Sequence, residues 1–328
     1  ILALASARIP EGSASRRDLR WHYRSRHEDL IRTSNRLFYK DRLVIFPHPQ
    51  RGDSQMGLVF RHLPDTVYGR GGTRKNELEA KAVASAALQH VRECPSLSLG
   101  IVAFSKAQQE AIEDQLDLLR KSDLALQQFD EGHGLDRLFV KNLESVQGDE
   151  RDVIFISVGY GRDENGFLGM SFGPVNREGG ERRLNVLITR AKVRTVVFSN
   201  FKAGDMRMAE TRSEGVHALH TFLAFAESGH LDVMPSVLRL EPSYFEECVF
   251  EQLRNRGYDV DKQVGSEGFY IDLAVRHPEN PGRYVLGIEC DGAMYHSAKC
   301  ARDRDRLRQQ VLEDRGWRIH RVWSTDWW

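Results

Sequence analysis

The 328-residue chain has only four cysteines, Cys94, Cys248, Cys290 and Cys300, and no Cys-x-x-Cys pair. A disulfide framework and a structural zinc site are thereby disfavoured, and free thiols in a reducing compartment are the simplest reading. No apolar run approaches the ~18 residues of a membrane-spanning helix, and no signal-peptide pattern occurs, so a cytoplasmic protein without a membrane span is expected. Net charge is also missing, since 47 basic residues balance 47 acidic ones. Any nucleic-acid binding must come from local basic surfaces. Internal repeats and low-complexity tracts are absent. So is a Gly-x-x-x-x-Gly-Lys-Ser/Thr phosphate loop, together with the acidic box that would hold Mg²⁺ beside it. ATP hydrolysis by these residues alone is therefore not expected.

A hydrophobic content of 41% suffices for ordinary cores, and the length exceeds the usual single domain. The densest signal runs from Glu144 to Lys192. Glu144-Ser145-Val146-Gln147-Gly148-Asp149-Glu150-Arg151-Asp152 leads into the apolar run Val153 to Val158, short and β-branched, which suits a central parallel strand buried on both faces. Beyond it, Leu184, Leu187, Ile188 and Ala191 recur at the spacing of one helical stripe, leaving Arg183 and Arg190 to reach outward. A guanidinium on a rigid helix can neutralise a transferring phosphoryl group; a surface arginine in a salt bridge is the plainer reading. Trp21 to His27 precede a helical pattern with Leu30 and Ile31, and Leu99 to Phe104 form a second buried strand that ends in Ser105-Lys106-Ala107-Gln108. Pro47 to Gln55 and the glycine-rich Tyr68 to Thr73 read as loops, the latter followed by a helix from Asn76 to Val91. A strand from Arg194 to Ser199 and an amphipathic helix around Phe222 close this part, and Pro235 and Pro242 bracket a hinge between residues 1–235 and 242–328.

The second part carries separate chemistry. A helix opens at Ser243, buries Phe245, Val249 and Leu253, and stops at Gly257; Ser243-x-x-Glu246 is also a capping box, which gives Glu246 a structural reading beside a catalytic one. Strands Phe269 to Arg276 and Tyr284 to Asp291 form a hairpin. Glu289 and Asp291 share a face by the period of two, and the fold-back brings Asp272 near Glu289, although the sequence leaves the register open. Converging carboxylates raise one another's pKa unless a cation joins them. Mg²⁺ or Mn²⁺ suits such oxygens, and metal-bound water can attack a phosphodiester. His296 is a candidate base or an ordinary surface histidine. The Arg/Asp alternation from Arg302 to Arg308 marks a solvated helix or, through Arg302 and Arg306, a track for phosphates.

Residues 15 to 200, through these four blocks in order, resemble the second RecA-like domain of superfamily one helicases, in the branch that includes the nonsense-decay helicase. The resemblance implies an α/β fold, a RecA-like parallel sheet of the P-loop NTPase class, with ATP bound between this domain and a first RecA-like domain upstream. It implies Tyr23 against the adenine, Arg24 and Arg190 on the γ-phosphate, Gln147, Gly148 and Glu150 in the loop at the nucleotide with Glu150 near the ribose, and Ser105, Gln108 and Ser145 at the nucleic acid. The start at Ile1 without methionine suggests a piece of a longer polypeptide. From Ser243 onward, Tyr270-Ile271-Asp272-Leu273, Gly287-Ile288-Glu289-Cys290-Asp291-Gly292, Tyr295-His296 and the ending Trp317 to Trp327 resemble the PD-(D/E)xK nucleases, closest to the very-short-patch-repair group. That implies a smaller α/β restriction-endonuclease-like domain with Asp272, Glu289 and Asp291 as metal ligands. Asp291 stands where the motif usually has lysine, so His296 or Lys299 must take that role if it persists. The expected function is the C-terminal portion of an ATP-dependent DNA helicase fused to a metal-dependent endonuclease, in DNA repair or defence against foreign DNA. The alternative is a non-cleaving nucleic-acid-binding module that assists an RNA or DNA helicase motor.

Overall fold

The computed structural model describes residues 22, 24–50, 55–231, 243–266, 269–291 and 299–328. Strands β1 (Gly57–His62), β2 (Leu99–Ala103), β3 (Phe139–Asn142), β4 (Arg151–Ser157) and β5 (Ala191–Ser199) form one parallel sheet in the order β1-β5-β4-β2-β3. β4 lies in the middle, as its apolar run Val153 to Ile156 requires. Val153 and Phe155 point into one core and Ile154, Ile156 and Val158 into the other. Helices cover both faces because parallel strands need crossovers. Helices α1 (Asp29–Phe38), α5 (Gly180–Ile188) and α6 (Glu214–Ser228) pack on one side, the last two through Leu184, Leu187, Phe222 and Leu223. Helices α2 (Glu77–Glu93), α3 (Lys106–Ser122) and α4 (Ala125–His133) pack on the other through Val83, Ala84, Ile112 and Phe129. The starts of α2 and α3 are fixed by side-chain caps at Asn76 and Ser105, and α6 runs from its Ser213 cap to a left-handed Gly229. Among the described residues no helix is long and apolar enough to cross a membrane.

A buried polar cluster ties together the loops beyond the strand ends. Glu79 is fully buried and its Oε1 accepts from Ser157 Oγ at 2.7 Å and from Gly159 N at 2.8 Å. Gln108, equally buried, donates to Ser157 Oγ and to Asn76 O, each at 3.1 Å, and accepts from Asn76 N at 2.7 Å. Gly159 has φ +67°, and a Cβ there would meet Gln108 Cγ at 2.6 Å, so only glycine lets the chain turn against this amide. Burial pushes the Glu79 carboxyl from 4.5 up to about 7, against the pull of its two donors. The folded state therefore binds the proton more tightly than the unfolded state. Stability should fall as pH rises from about 4.5 to about 7 and then level off, by on the order of 1–3 kcal/mol. Urea unfolding at pH 5 and pH 8 checks this: Glu79→Gln should reduce the difference by its own share, Asp272 and Glu289 keeping theirs, and an unchanged pH dependence would assign it to those other groups.

The second sheet has the order β6-β7-β8-β9, with β6 (Val260–Ser266), β7 (Phe269–His277) and β8 (Asn280–Asp291) antiparallel and β9 (Ile319–Trp323) parallel to β8. The hairpin is the one expected, and its register sets Leu273 opposite Ile288. Helix α7 (Tyr244–Asn255) begins at the Ser243 cap and packs Phe245 and Val249 against Leu273 and Ile288. Helix α8 (Lys299–Asp314) contributes Leu312 to the opposite core, with Trp317, Tyr284 and Phe269. Phe46, from the segment expected to border a plain loop, is buried in that same core. The hinge expected between Pro235 and Pro242 lies outside the described residues.

Candidate functional sites

Arg24, Glu150, Arg190 and Lys192 come together from three separate chain segments. Helix α5 ends at Ile188 with Thr189 as its C-cap, which corrects the expectation of a helix-borne Arg190: the residue occupies the short junction into β5. The apolar stripe had extended one step too far because Ala191 is buried as the first residue of the strand. Rigidity comes instead from main-chain acceptors. Arg190 Nε donates to Val186 O at 2.7 Å and Nη1 to Asp149 O at 3.4 Å, while Nη2 reaches Thr189 Oγ1 at 3.2 Å. Arg24 Nη1 donates to Thr189 O at 3.4 Å, and its Nε lies 3.1 Å from Glu150 Oε2. Lys192 Nζ holds the other Glu150 oxygen at 3.0 Å. Two cations thus bind one carboxylate, and a third, Arg190, lies close enough to feel its charge.

The electrostatics match that count. Burial and then the neighbouring Arg24 depress the Arg190 pKa, while Lys192 first and then the arginines hold Glu150 below its ordinary value. An anionic oxygen placed here would relieve the Arg24–Arg190 repulsion. Sequence reasoning missed Lys192, although its spacing of two from Arg190 was a usable signal once the junction is known to enter a strand. Gln147 and Gly148 are exposed at the loop tip, where Gly148 has φ +94°, and the exposed Ser145 hydrogen-bonds within the turn to Asn142. Arg183 donates to Glu178 O at 2.9 Å, away from the cluster. Tyr23 lies outside the described residues.

The expected pair at the nucleic acid separates. Ser105 is half-buried and its Oγ caps α3 by accepting from Gln108 N at 3.2 Å. Gln108 has no exposed surface and its amide is consumed by Asn76 and Ser157, so its assignment to the nucleic-acid backbone is corrected to a structural role. The sequence could not reveal this, because a glutamine in a first helical turn is normally solvated.

In the second sheet, Asp272 Oδ2 accepts from Cys290 N at 2.7 Å, which sets this carboxyl beside the Glu289-Cys290-Asp291 segment. Burial raises the Asp272 pKa to about 6, helped by Glu246 and Asp291, and raises Glu289 to about 7, helped by Asp272. Ser243 Oγ caps the helix by accepting from Glu246 N at 3.2 Å, while Glu246 Oε1 accepts from Ser243 Oγ at 3.0 Å and its Oε2 from Gln263 Nε2 at 3.0 Å. Asp291 faces Arg321, whose Nε lies 3.2 Å from Oδ2. The residue unforeseen from the sequence is Arg308. From α8 its Nη2 reaches Glu289 Oε1 at 3.2 Å and Tyr270 O at 2.6 Å, with the guanidinium 4.1 Å from the Phe269 ring centroid. Its place in an Arg/Asp alternation hid it, since every second residue offered the same charge.

Among the described residues no three His, Cys, Asp or Glu side chains form a ready metal cage. A half-buried and a buried carboxylate, Asp272 and Glu289, nonetheless fit a hard divalent cation, which takes few protein oxygens and completes its shell with water. His296 lies outside the described residues; Lys299 and Arg302 belong to α8, and Arg306 is exposed on it.

Residues 6–202 match the family described as AAA domain, and residues 245–328 match the family described as REase_MTES_1575. An uncharacterized ATP-dependent helicase of Mycoplasma pneumoniae is 30% identical over 94% of this chain and 28% of its own length. Its counterpart in Mycoplasma genitalium is 29% identical with the same shares, 94% and 28%. The chain thus spans little more than a quarter of these curated relatives. A solved structure, the C-terminal domain of a possible DNA helicase from Lactobacillus plantarum, is 15% identical with a TM-score of 0.29, over 54% of this chain and 86% of that one.

Proposed function

The chain belongs to the AAA-domain family, as a helicase-like RecA region followed by a restriction-endonuclease-like domain, and from that premise we propose that it forms the second motor half of an ATP-dependent DNA helicase joined to a metal-dependent nuclease. The observation that carries the motor reading is the gathering of Arg24, Arg190 and Lys192 around a single carboxylate, Glu150, which pairs directly with Arg24 and Lys192. Arg24 and Arg190 contact the terminal phosphate and neutralise charge as it develops, while Glu150 orients both Arg24 and Lys192. Gln147 and Gly148 border the nucleotide. Ser105 and Ser145, with Arg302 and Arg306 on the other half, contact nucleic-acid phosphates. DNA is the favoured strand and RNA the variant reading. The halves divide at residues 235–242, and the role in repair or in defence against foreign DNA belongs to the whole polypeptide.

For the nuclease half, Asp272 and Glu289 would hold Mg²⁺ or Mn²⁺, with Asp291 and Glu246 beside them. The cation, when bound, supplies an activated water and charge stabilisation. Arg308 supplies the positive charge that the motif's lysine gives elsewhere. Being always protonated, it acts by charge and hydrogen bonding rather than as a base. A second reading, a binding module without cleavage, draws support from Asp291, which occupies the lysine position and is ion-paired with Arg321. Incubating the chain with single-stranded, duplex and branched DNA separates the two. Cleavage that requires added Mg²⁺ or Mn²⁺ and stops with chelator supports the nuclease; DNA binding with no cutting under either metal supports the module.

A further inference from the structure

Residues 43–50 run between the two halves, and their side chains alternate between them. Leu43 and Ile45 bury against Ile31 of α1, while Val44 and Phe46 enter the core of the second sheet. The period of two in an extended segment permits this division. Phe46 packs on Phe269 with ring centroids 4.4 Å apart. The backbone beyond it is held from both sides. Trp317 Nε1 donates to Pro47 O at 2.9 Å and Tyr284 N to Pro49 O at 2.8 Å, both from the nuclease-like half. From the motor half, Glu28 Oε2 accepts from His48 N at 2.7 Å, and His27 Nε2 donates to Gln50 O at 3.0 Å. Asp29 N donates to His27 Nδ1 at 3.2 Å, which leaves Nε2 as the protonated nitrogen. His27 and Glu28 belong to the buried turn that begins at Arg24 and is tied to β5 by Arg26 N donating to Lys192 O at 2.7 Å.

We propose that residues 43–50 are a strap by which the nuclease-like half holds the Arg24 turn in place, making Phe46 and Trp317 positioning residues for the nucleotide-side cluster. The inference rests on the reading of Arg24 as a nucleotide contact only for its effect on ATP turnover; the mechanical link stands on the contacts alone. Removing Phe46 empties the ring site against Phe269, so the strap loses its grip on one side. His27 and Glu28 then lose the fixed backbone partners that immobilise their turn. Phe269 also carries Arg308, the cation on Glu289, 4.1 Å from its ring centroid, so the strap packs on a ring that borders the Asp272 and Glu289 carboxylates.

Hydrogen–deuterium exchange on the full chain tests the link. Phe46→Ala should accelerate amide exchange at residues 24–28 by at least about tenfold while the central amides of β4 keep their protection, and Phe46→Leu should restore slow exchange. Should Phe46→Ala unfold the second sheet outright, Trp317→Phe decides the matter, since it keeps an aromatic ring in the core while deleting the donor to Pro47 O. It should accelerate the same turn by a few-fold. Unchanged exchange at residues 24–28 in Trp317→Phe, or in a folded Phe46→Ala, overturns the strap. In the chain joined to a phosphate-loop domain, Trp317→Phe should lower kcat for ATP with KM unaltered. An altered KM at constant kcat would overturn the positioning role, and no turnover even without substitution would overturn the nucleotide reading, leaving exchange to judge the strap.

Discussion

Replacing Arg190 by alanine, in the chain joined to a phosphate-loop domain, should reduce ATP turnover by roughly 10³-fold or more, the scale of an arginine finger. Such a loss corresponds to about 4 kcal/mol of transition-state stabilisation. Folding should survive, because Arg190 is only half-buried and its bonds go to main-chain carbonyls and one hydroxyl that water can satisfy. Arg190→Lys should recover little, since an ammonium cannot bond Val186 O, Asp149 O and a phosphate together from one planar fork. Arg24→Ala should also cost turnover, with part of its effect passing through the freed Glu150. A steady-state assay with a thermal melt checks both, and an Arg190→Ala protein that folds and turns over normally would remove this cluster from the nucleotide site.

The second large effect concerns the nuclease carboxylates. Asp272→Asn and Glu289→Gln keep shape while deleting charge, and each should abolish metal-dependent cleavage, by at least about 10²-fold. Asp272 is half-buried and Glu289 buried, and both are pushed toward neutrality, to about 6 and about 7, so the amides should also leave the fold intact or slightly more stable near pH 8. DNA binding should persist or tighten as repulsion of phosphate falls. Arg308→Ala provides the contrast, because it removes the cation that pairs with Glu289. Cutting that continues in both carboxylate variants would place the activity elsewhere.

How much of this was legible in the sequence depended on burial. Val153 to Ile156 announced themselves because both faces of the strand are covered, and the one polar residue before Val158, Ser157, is itself buried and hydrogen-bonded to Glu79 and Gln108. The Ser243 cap and the β7–β8 hairpin were likewise local facts, readable from capping and alternation. β1 and β6 gave no comparable signal: each is an edge strand of its sheet, and residues such as Arg61, Asp261 and Lys262 break the pattern. At the sites, residue types in order revealed Arg24 and Arg190 and the pair Asp272 and Glu289. Lys192, Arg308 and the buried Gln108 depended on long-range packing that one-dimensional spacing does not encode. Phe46 is the clearest case, since its ring is buried against residues more than two hundred positions away.

ATP turnover measured on residues 1–328 alone and on the same chain joined to an upstream phosphate-loop domain tests the motor assignment most directly. On the proposed reading, in which Arg24, Arg190 and Glu150 complete a site whose phosphate cradle they do not contain, the expected result is background hydrolysis by the chain alone and turnover once the phosphate loop is supplied. Robust hydrolysis by the chain alone, or none when joined, would contradict it.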